Sequence, residues 1–200
     1  MVAQQQGPVV QTASESAGGA NRYWVKDKNG NVSLQEVSRD DIGQPPSNGY
    51  FKLRLVGISD VFEMNGVYGR SQNVRLLLMV NQPGSHAHKQ KFSEIAAVAK
   101  WSDRNEHFYP TIGSRSKIGQ ILGAIQGREI EQNQTITLTD FLNGEFMANV
   151  KQTVKQTDNG AVAYANTVHD TITAVDETPA APPPPVAAPA GNPFLGDDDL

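Results

Sequence analysis

A chain of 200 residues with 38% hydrophobic content has room for one domain and some uncollapsed chain, since domains run to roughly 100 to 200 residues. It holds no cysteine, which excludes disulfides and thiolate metal sites, and with them a small disulfide-stapled extracellular fold. The net charge of −4 is uneven: residues 47–176 carry 13 Lys and Arg against 12 Asp and Glu, residues 177–200 none against four, and residues 1–46 four against five.

Residues 1–20 contain no aromatic and no basic residue, so they bury too little apolar surface to offset their ordering entropy and are expected to be a disordered tail. They lack the basic start and apolar core of a signal peptide. No run approaches the ~18 to 20 apolar residues of a membrane span. A soluble cytoplasmic protein without membrane contact is expected. In residues 21–46, Asn29 and Gly30 sit between YWV and VSLQEV, which predicts a small hairpin extension with Trp24 as its anchor on the domain. Pro45, Pro46 and Asn48, between Gly43 and Gly49, then break regular structure.

The domain itself is expected over residues 47–176. Phe51, Leu53 and Leu55 alternate with Tyr50, Lys52 and Arg54, which predicts a strand over 50–58 with a bulge or bend at Gly57. Asn65 and Gly66 mark a turn. A second strand follows over 73–80, with Val74, Leu76, Leu78 and Val80 inward and Arg75 outward. After a polar loop, KFSEIAAVAKW reads as a third strand, although Phe92, Ile95 and Ala99 also fit a helical spacing. Ile118, Ile121, Leu122 and Ile125 recur at i, i+3, i+4 and i+7, which predicts an amphipathic helix capped at Ser114 or Ser116 and stopped by Gly127. A helical turn over 139–144 leads into EFMANVKQTVK, where Phe146, Ala148 and Val150 face one side and Met147, Asn149, Lys151 and Thr153 the other. Asp158, Asn159 and Gly160 turn the chain into a last strand.

This order predicts a mainly β, OB-fold-like five-stranded barrel with one helix between strands 3 and 4; a small α+β sandwich shares most of the elements. Residues 177–200 form a Pro- and Ala-rich spacer, expected to be extended, that ends in an acidic tip.

Signatures of catalysis are missing: no GxxxxGK[ST] loop, no GxSxG elbow, no HExxH pair. His86 and His88 in a loop, like Asp103 and Glu106, read as solvated groups, so neither a metal, a cofactor nor an enzymatic activity is expected. Binding has more support. Lys52, Arg54, Arg75, Lys151 and Lys155 all take the parity opposite the core of their own strand, and on neighbouring strands they would line a track for a single-stranded backbone. Outward cations also serve solubility and edge protection. Arg70 and Arg115 are further candidates for phosphate contact. Tyr50, Tyr68, Trp101, Phe108, Tyr109 and Tyr164 are candidate stacking platforms. In the tip, Phe194, Leu195, Asp197, Asp198, Asp199 and Leu200 offer an anionic peptide with apolar anchors for a basic partner.

The runs GYFKLRLVGI, SKIGQILGAIQG, LTDFLNGEFMANVK and AYANTVHDTITAV resemble the small OB-like single-stranded-DNA-binding proteins of tailed bacteriophages and related mobile elements. In these a serine-led helix precedes a turn and strand matched here by Asp140, Phe141, Leu142, Gly144 and Val150. The resemblance spans roughly residues 47–176. It implies binding of single-stranded DNA in phage replication or recombination, in the host cytoplasm, as a monomer or homo-oligomer. Bacterial single-stranded-DNA-binding proteins also end in an acidic, apolar tip that recruits replication and recombination proteins. Here the order departs from theirs, because Pro193 and Phe194 precede the aspartates instead of closing the chain. The competing reading is an OB-like protein-interaction or virion-assembly module that binds no nucleic acid.

Overall fold

The computed structural model describes residues 21–66, 69–131, 134–157 and 160–175; the expectations for residues 1–20 and 177–200 lie outside them. The described residues form nine strands: β1 (Asn21–Lys26), β2 (Val32–Val37), β3 (Gly49–Ile58), β4 (Phe62–Gly66), β5 (Gly69–Val80), β6 (Lys91–Ser102), β7 (His107–Pro110), β8 (Glu145–Thr157) and β9 (Gly160–Thr167). Two α-helices, α1 (Arg39–Ile42) and α2 (Lys117–Gln126), and short 3-10 turns complete them. No helix among the described residues is long and apolar enough to cross a membrane.

Every ladder is antiparallel. β3 pairs with β5 along one edge, and along the other with β8 and, at Ile58, with β1. β5 continues to β6 and β8 to β9. The sheet curls until β9 comes against β6, and the protein is a mainly β half-barrel. At the seam the buried Glu94 of β6 accepts from the Thr167 backbone N–H and hydroxyl, both at 2.8 Å, and from Lys117 Nζ of α2 at 3.3 Å.

Alternation places Phe51, Leu53 and Leu55 inside with Leu76, Leu78, Val80, Phe146, Ala148 and Val150. The expected bulge is present, because the β3–β5 register shifts between Leu55 and Gly57. Gly57 allows a close approach: a Cβ there would sit a tight 3.1 Å from Tyr23 Cβ and 3.3 Å from Leu77 Cβ. Tyr23 is thus the buried plug of the N-terminal hairpin, and its burial pushes the phenol pKa up against the opposing influence of Ser93 and Arg75. Trp24 anchors the same hairpin as expected, through Nε1 donating to Asp60 Oδ1 at 2.7 Å.

Helix α2 starts at Ser116, whose Oγ accepts from the Gly119 N–H, and ends at a left-handed Gly127. Ile118, Ile121 and Leu122 are buried, and Ile125 packs at the core's margin. Gly119 is enclosed, since a Cβ there would collide with the Gly113 carbonyl group. Gly119→Ala is therefore expected to destabilise the protein by about 1 to 3 kcal/mol despite alanine's better helix propensity. Urea unfolding measures it, and an unchanged or raised midpoint would show that the 111–115 segment yields.

Three elements differ from the sequence expectation. Asn65 and Gly66, expected to form a turn, belong to β4 instead, where Asn65 pairs with Arg70 and Gly66 with Gly69 of β5. β7 forms in a stretch to which the sequence reading assigns no strand, pairing Phe108 with Trp101. α1 spans one turn, too short for any periodicity, and rests on a capping box between Ser38 and Asp41. The bond from Ser38 holds the Asp41 carboxyl below its ordinary pKa. KFSEIAAVAKW is strand throughout, with Phe92, Glu94 and Ala96 buried.

Candidate nucleic-acid interface

The five outward cations divide into three environments. On β3, the register sets Arg54 opposite Glu145 and Lys52 opposite Met147 of β8. Glu145 therefore reaches both bases: Lys52 Nζ lies 2.6 Å from Oε2, and Arg54 donates to Oε1 from Nη2 at 2.5 Å and from Nε at 3.0 Å. Asn81 also donates to Glu145 Oε1. Desolvation by partial burial would raise the Glu145 pKa, but the hydrogen bonds from Lys52, Arg54 and Asn81 outweigh it and hold the carboxyl below its ordinary value of 4.5. Lys52 and Arg54 thus share one carboxylate, which cancels one of their two positive charges. Beside them, Tyr50 Oη shares a 3.0 Å hydrogen bond with Thr173 Oγ1.

Arg75 is built into the scaffold. Its guanidinium donates to Asn21 Oδ1 at 3.1 Å and lies 5.2 Å from the Phe62 ring centroid. Arg70, on the β4–β5 hairpin, stacks 4.4 Å from the Trp101 centroid and 5.5 Å from that of Phe108, and pairs with Glu63 at 3.0 Å. Trp101 and Phe108 meet edge to face at 5.1 Å. Tyr109, 44% exposed, faces away from this stack opposite the exposed Lys100. Arg115 is exposed in the turn before α2, and Tyr68 lies outside the described residues.

Lys151, Lys155 and Tyr164 form the third environment. β8 leaves β3 after Val150, which faces Gly49, and continues with β9 as a two-stranded ribbon. Thr153 to Gln156 are exposed on both faces. Pairs Lys151 with Asn166, Thr153 with Tyr164 and Lys155 with Val162 share one face. Lys155 Nζ lies 5.8 Å from the Tyr164 ring centroid, and Tyr164 is 38% exposed. Among the described residues no carboxylate pairs with either lysine.

Two participants escape the sequence reading. Glu145 shares the outward parity of Lys151 on its own strand, which is the signal that marks it, and Asn81 follows the last residue of β5. Phe194, Leu195, Asp197, Asp198, Asp199 and Leu200 lie outside the described residues. His86 is occupied by neighbours, with Nε2 2.9 Å from Ser47 Oγ and its ring edge-on to Phe51. Compared with protein-family models, curated proteins and solved structures, the chain finds no match.

Proposed function

We propose that this chain is a non-enzymatic single-stranded-DNA-binding protein with an OB-type barrel, acting in phage DNA replication or recombination. The observation that carries the reading is the exposed face of the β8–β9 ribbon, where Lys151, Lys155 and Tyr164 stand together without an acidic partner among the described residues. A cation beside an aromatic ring suits a strand whose phosphates and bases alternate. Arg70, Trp101 and Phe108 form a second basic and aromatic cluster, in which Arg70 also pairs with Glu63. The strand order supports the OB-type reading: β3, β5 and β6 in sequence, then α2, then β8 back on the free edge of β3 with β9 outside it. In this reading the tip at Phe194 to Leu200 recruits replication or recombination proteins.

Titration of a fluorescent oligonucleotide at two salt concentrations tests the proposal. Affinity is expected to fall with salt, and Lys151→Ala with Lys155→Ala should flatten the logarithmic salt slope by roughly 1.4, at about 0.7 per phosphate contact. Tyr164→Ala should cost about 1 to 3 kcal/mol of binding. Absent or salt-indifferent binding by the wild type would sink the reading. The alternative, an OB-like module that meets protein, is favoured by one observation, the ion pairs that tie Lys52 and Arg54 to Glu145. A protein partner retained after nuclease treatment, without oligonucleotide binding, would establish it.

A further inference from the structure

The outer edge of β9 has the properties of a pairing surface. Among the described residues β9 pairs with β8 alone, in an unbroken register from Val150 with Thr167 to Thr157 with Gly160. The direction of its free groups follows from two hydrogen bonds. The Thr167 N–H is given to Glu94 on β6, and the Gln152 N–H to Asn48 Oδ1, so the Thr167 and Ala165 positions are those whose backbone groups turn away from the β8–β9 ladder. Continuing at a period of two, the N–H and C=O groups of Ala163 and Ala161 also point away from β8. These two residues lie on the ribbon that has left the half-barrel, and Ala161 is exposed.

Folded proteins blunt such edges with lysine, proline or a bulge. β9 has none of these: Gly160 to Val168 reads GAVAYANTV, without a charge or a proline, and its register has no shift. A two-stranded ribbon alone is marginally stable in water.

We infer that the edge of β9 pairs with the same edge of a second copy of this chain, antiparallel about a two-fold axis at Val162. That axis sets Ala161 against Ala163 of the partner copy and Ala163 against Ala161 of the partner copy, so each edge group meets its complement. Antiparallel self-pairing is isologous by construction and closes at two copies. Charge does not oppose it. Lys155 lies opposite Val162 on β8, so the two copies of Lys155 stand three strand spacings apart, about 14 Å, beyond the ~8 to 10 Å screening length at ordinary salt. The chain's own tail is a poor occupant, because Pro179, Pro182 to Pro185, Pro189 and Pro193 have no N–H for a ladder. Residues directly opposite across the axis share a face. The paired ribbons therefore form a four-stranded sheet with Lys151, Lys155 and Tyr164 of both copies on one side.

Sedimentation equilibrium of the full chain without nucleic acid tests this independently of DNA binding. A dimer is expected at micromolar concentration, with the Ala161 and Ala163 amides exchanging more slowly as concentration rises. Ala163→Pro removes an N–H that makes no bond to β8, and should raise the dimer dissociation constant at least tenfold while leaving the circular dichroism spectrum unchanged. Ala161→Lys combined with Ala163→Lys should do the same by charge, which covers the case in which proline disturbs the ribbon. A wild type that stays monomeric would overturn the inference, as would a dimer unaffected in both folded variants. Protection of the two amides that is independent of concentration and lost on deleting residues 1–20 would overturn it too, by showing that the chain's own start covers the edge.

Discussion

Replacing Glu94 by alanine is expected to destabilise the protein by about 3 to 5 kcal/mol, chiefly the cost of orphaning the donors that its buried carboxylate holds. For a chain of this size that lowers the melting temperature by roughly 6 to 20 °C. The side chain of Glu94 is fully buried, and it is the group through which β6 holds β9. Its removal leaves the Thr167 N–H and hydroxyl without an acceptor inside the sheet's seam, at about 1 to 3 kcal/mol for each orphaned group. Lys117 suffers less, since its side chain is 26% exposed and can turn to water. The loss thus belongs to the orphaned groups of β9 more than to the ion pair. Two further variants separate these contributions. Glu94→Gln keeps an acceptor for Thr167 and should retain most of the stability, whereas Glu94→Leu with Thr167→Val removes the hydroxyl but still strands the N–H, and should recover only part. Chemical denaturation of the three variants measures the series. An alanine variant within 1 kcal/mol of wild type would mean that the seam does not depend on this carboxylate.

Glu94 also shows where the sequence stops being legible. A charged residue at an inward position spoils the alternation of KFSEIAAVAKW, which is why that stretch reads as helix or strand with nearly equal ease. Its partner Thr167 is 73 residues away, and no local pattern announces it. Segments whose apolar residues alternate or recur without interruption are read correctly, as with Phe51, Leu53 and Leu55 on β3 or Ile118, Ile121 and Leu122 on α2. β4 and β7 escape because their side chains are mostly exposed or half-exposed; such strands are selected by pairing with β5 and β6 and carry little hydrophobic signal of their own. The candidate interface follows the same division. Parity within a strand predicts that Lys52, Arg54 and Lys151 face outward. Which groups lie across from them depends on strand neighbours, and Arg54 meets Glu145 across 91 residues of sequence. Parity therefore finds the cations but misses that two of them are already paired.

Glu145→Gln is expected to tighten oligonucleotide binding by roughly threefold to tenfold at low salt and to steepen the logarithmic salt slope by up to about 0.7, the value for the one positive charge that the carboxylate cancels. Glu145 lies between Lys52 Nζ and the Arg54 guanidinium, where on the proposed function it competes with a phosphate, and a neutral amide there leaves both positive charges uncompensated. The pH dependence has the same origin. The folded pKa of Glu145 is depressed, so its contribution to stability is fully present above the ordinary carboxylate range and is lost as pH falls through the depressed value. Over that fall the wild type gives up the ion pairs with Lys52 and Arg54, and its oligonucleotide affinity should rise toward that of the glutamine variant. The variant itself should lack this component of the pH profile. It should also be slightly less stable than wild type at neutral pH, because Lys52, Arg54 and Asn81 lose a charged acceptor. Equal affinities at neutral pH would exclude Lys52 and Arg54 from the binding surface and leave the ribbon of Lys151, Lys155 and Tyr164 to bind alone. Weaker binding by the variant would mean that Glu145 positions the two bases for the strand, so that the carboxylate aids binding where we expect it to compete.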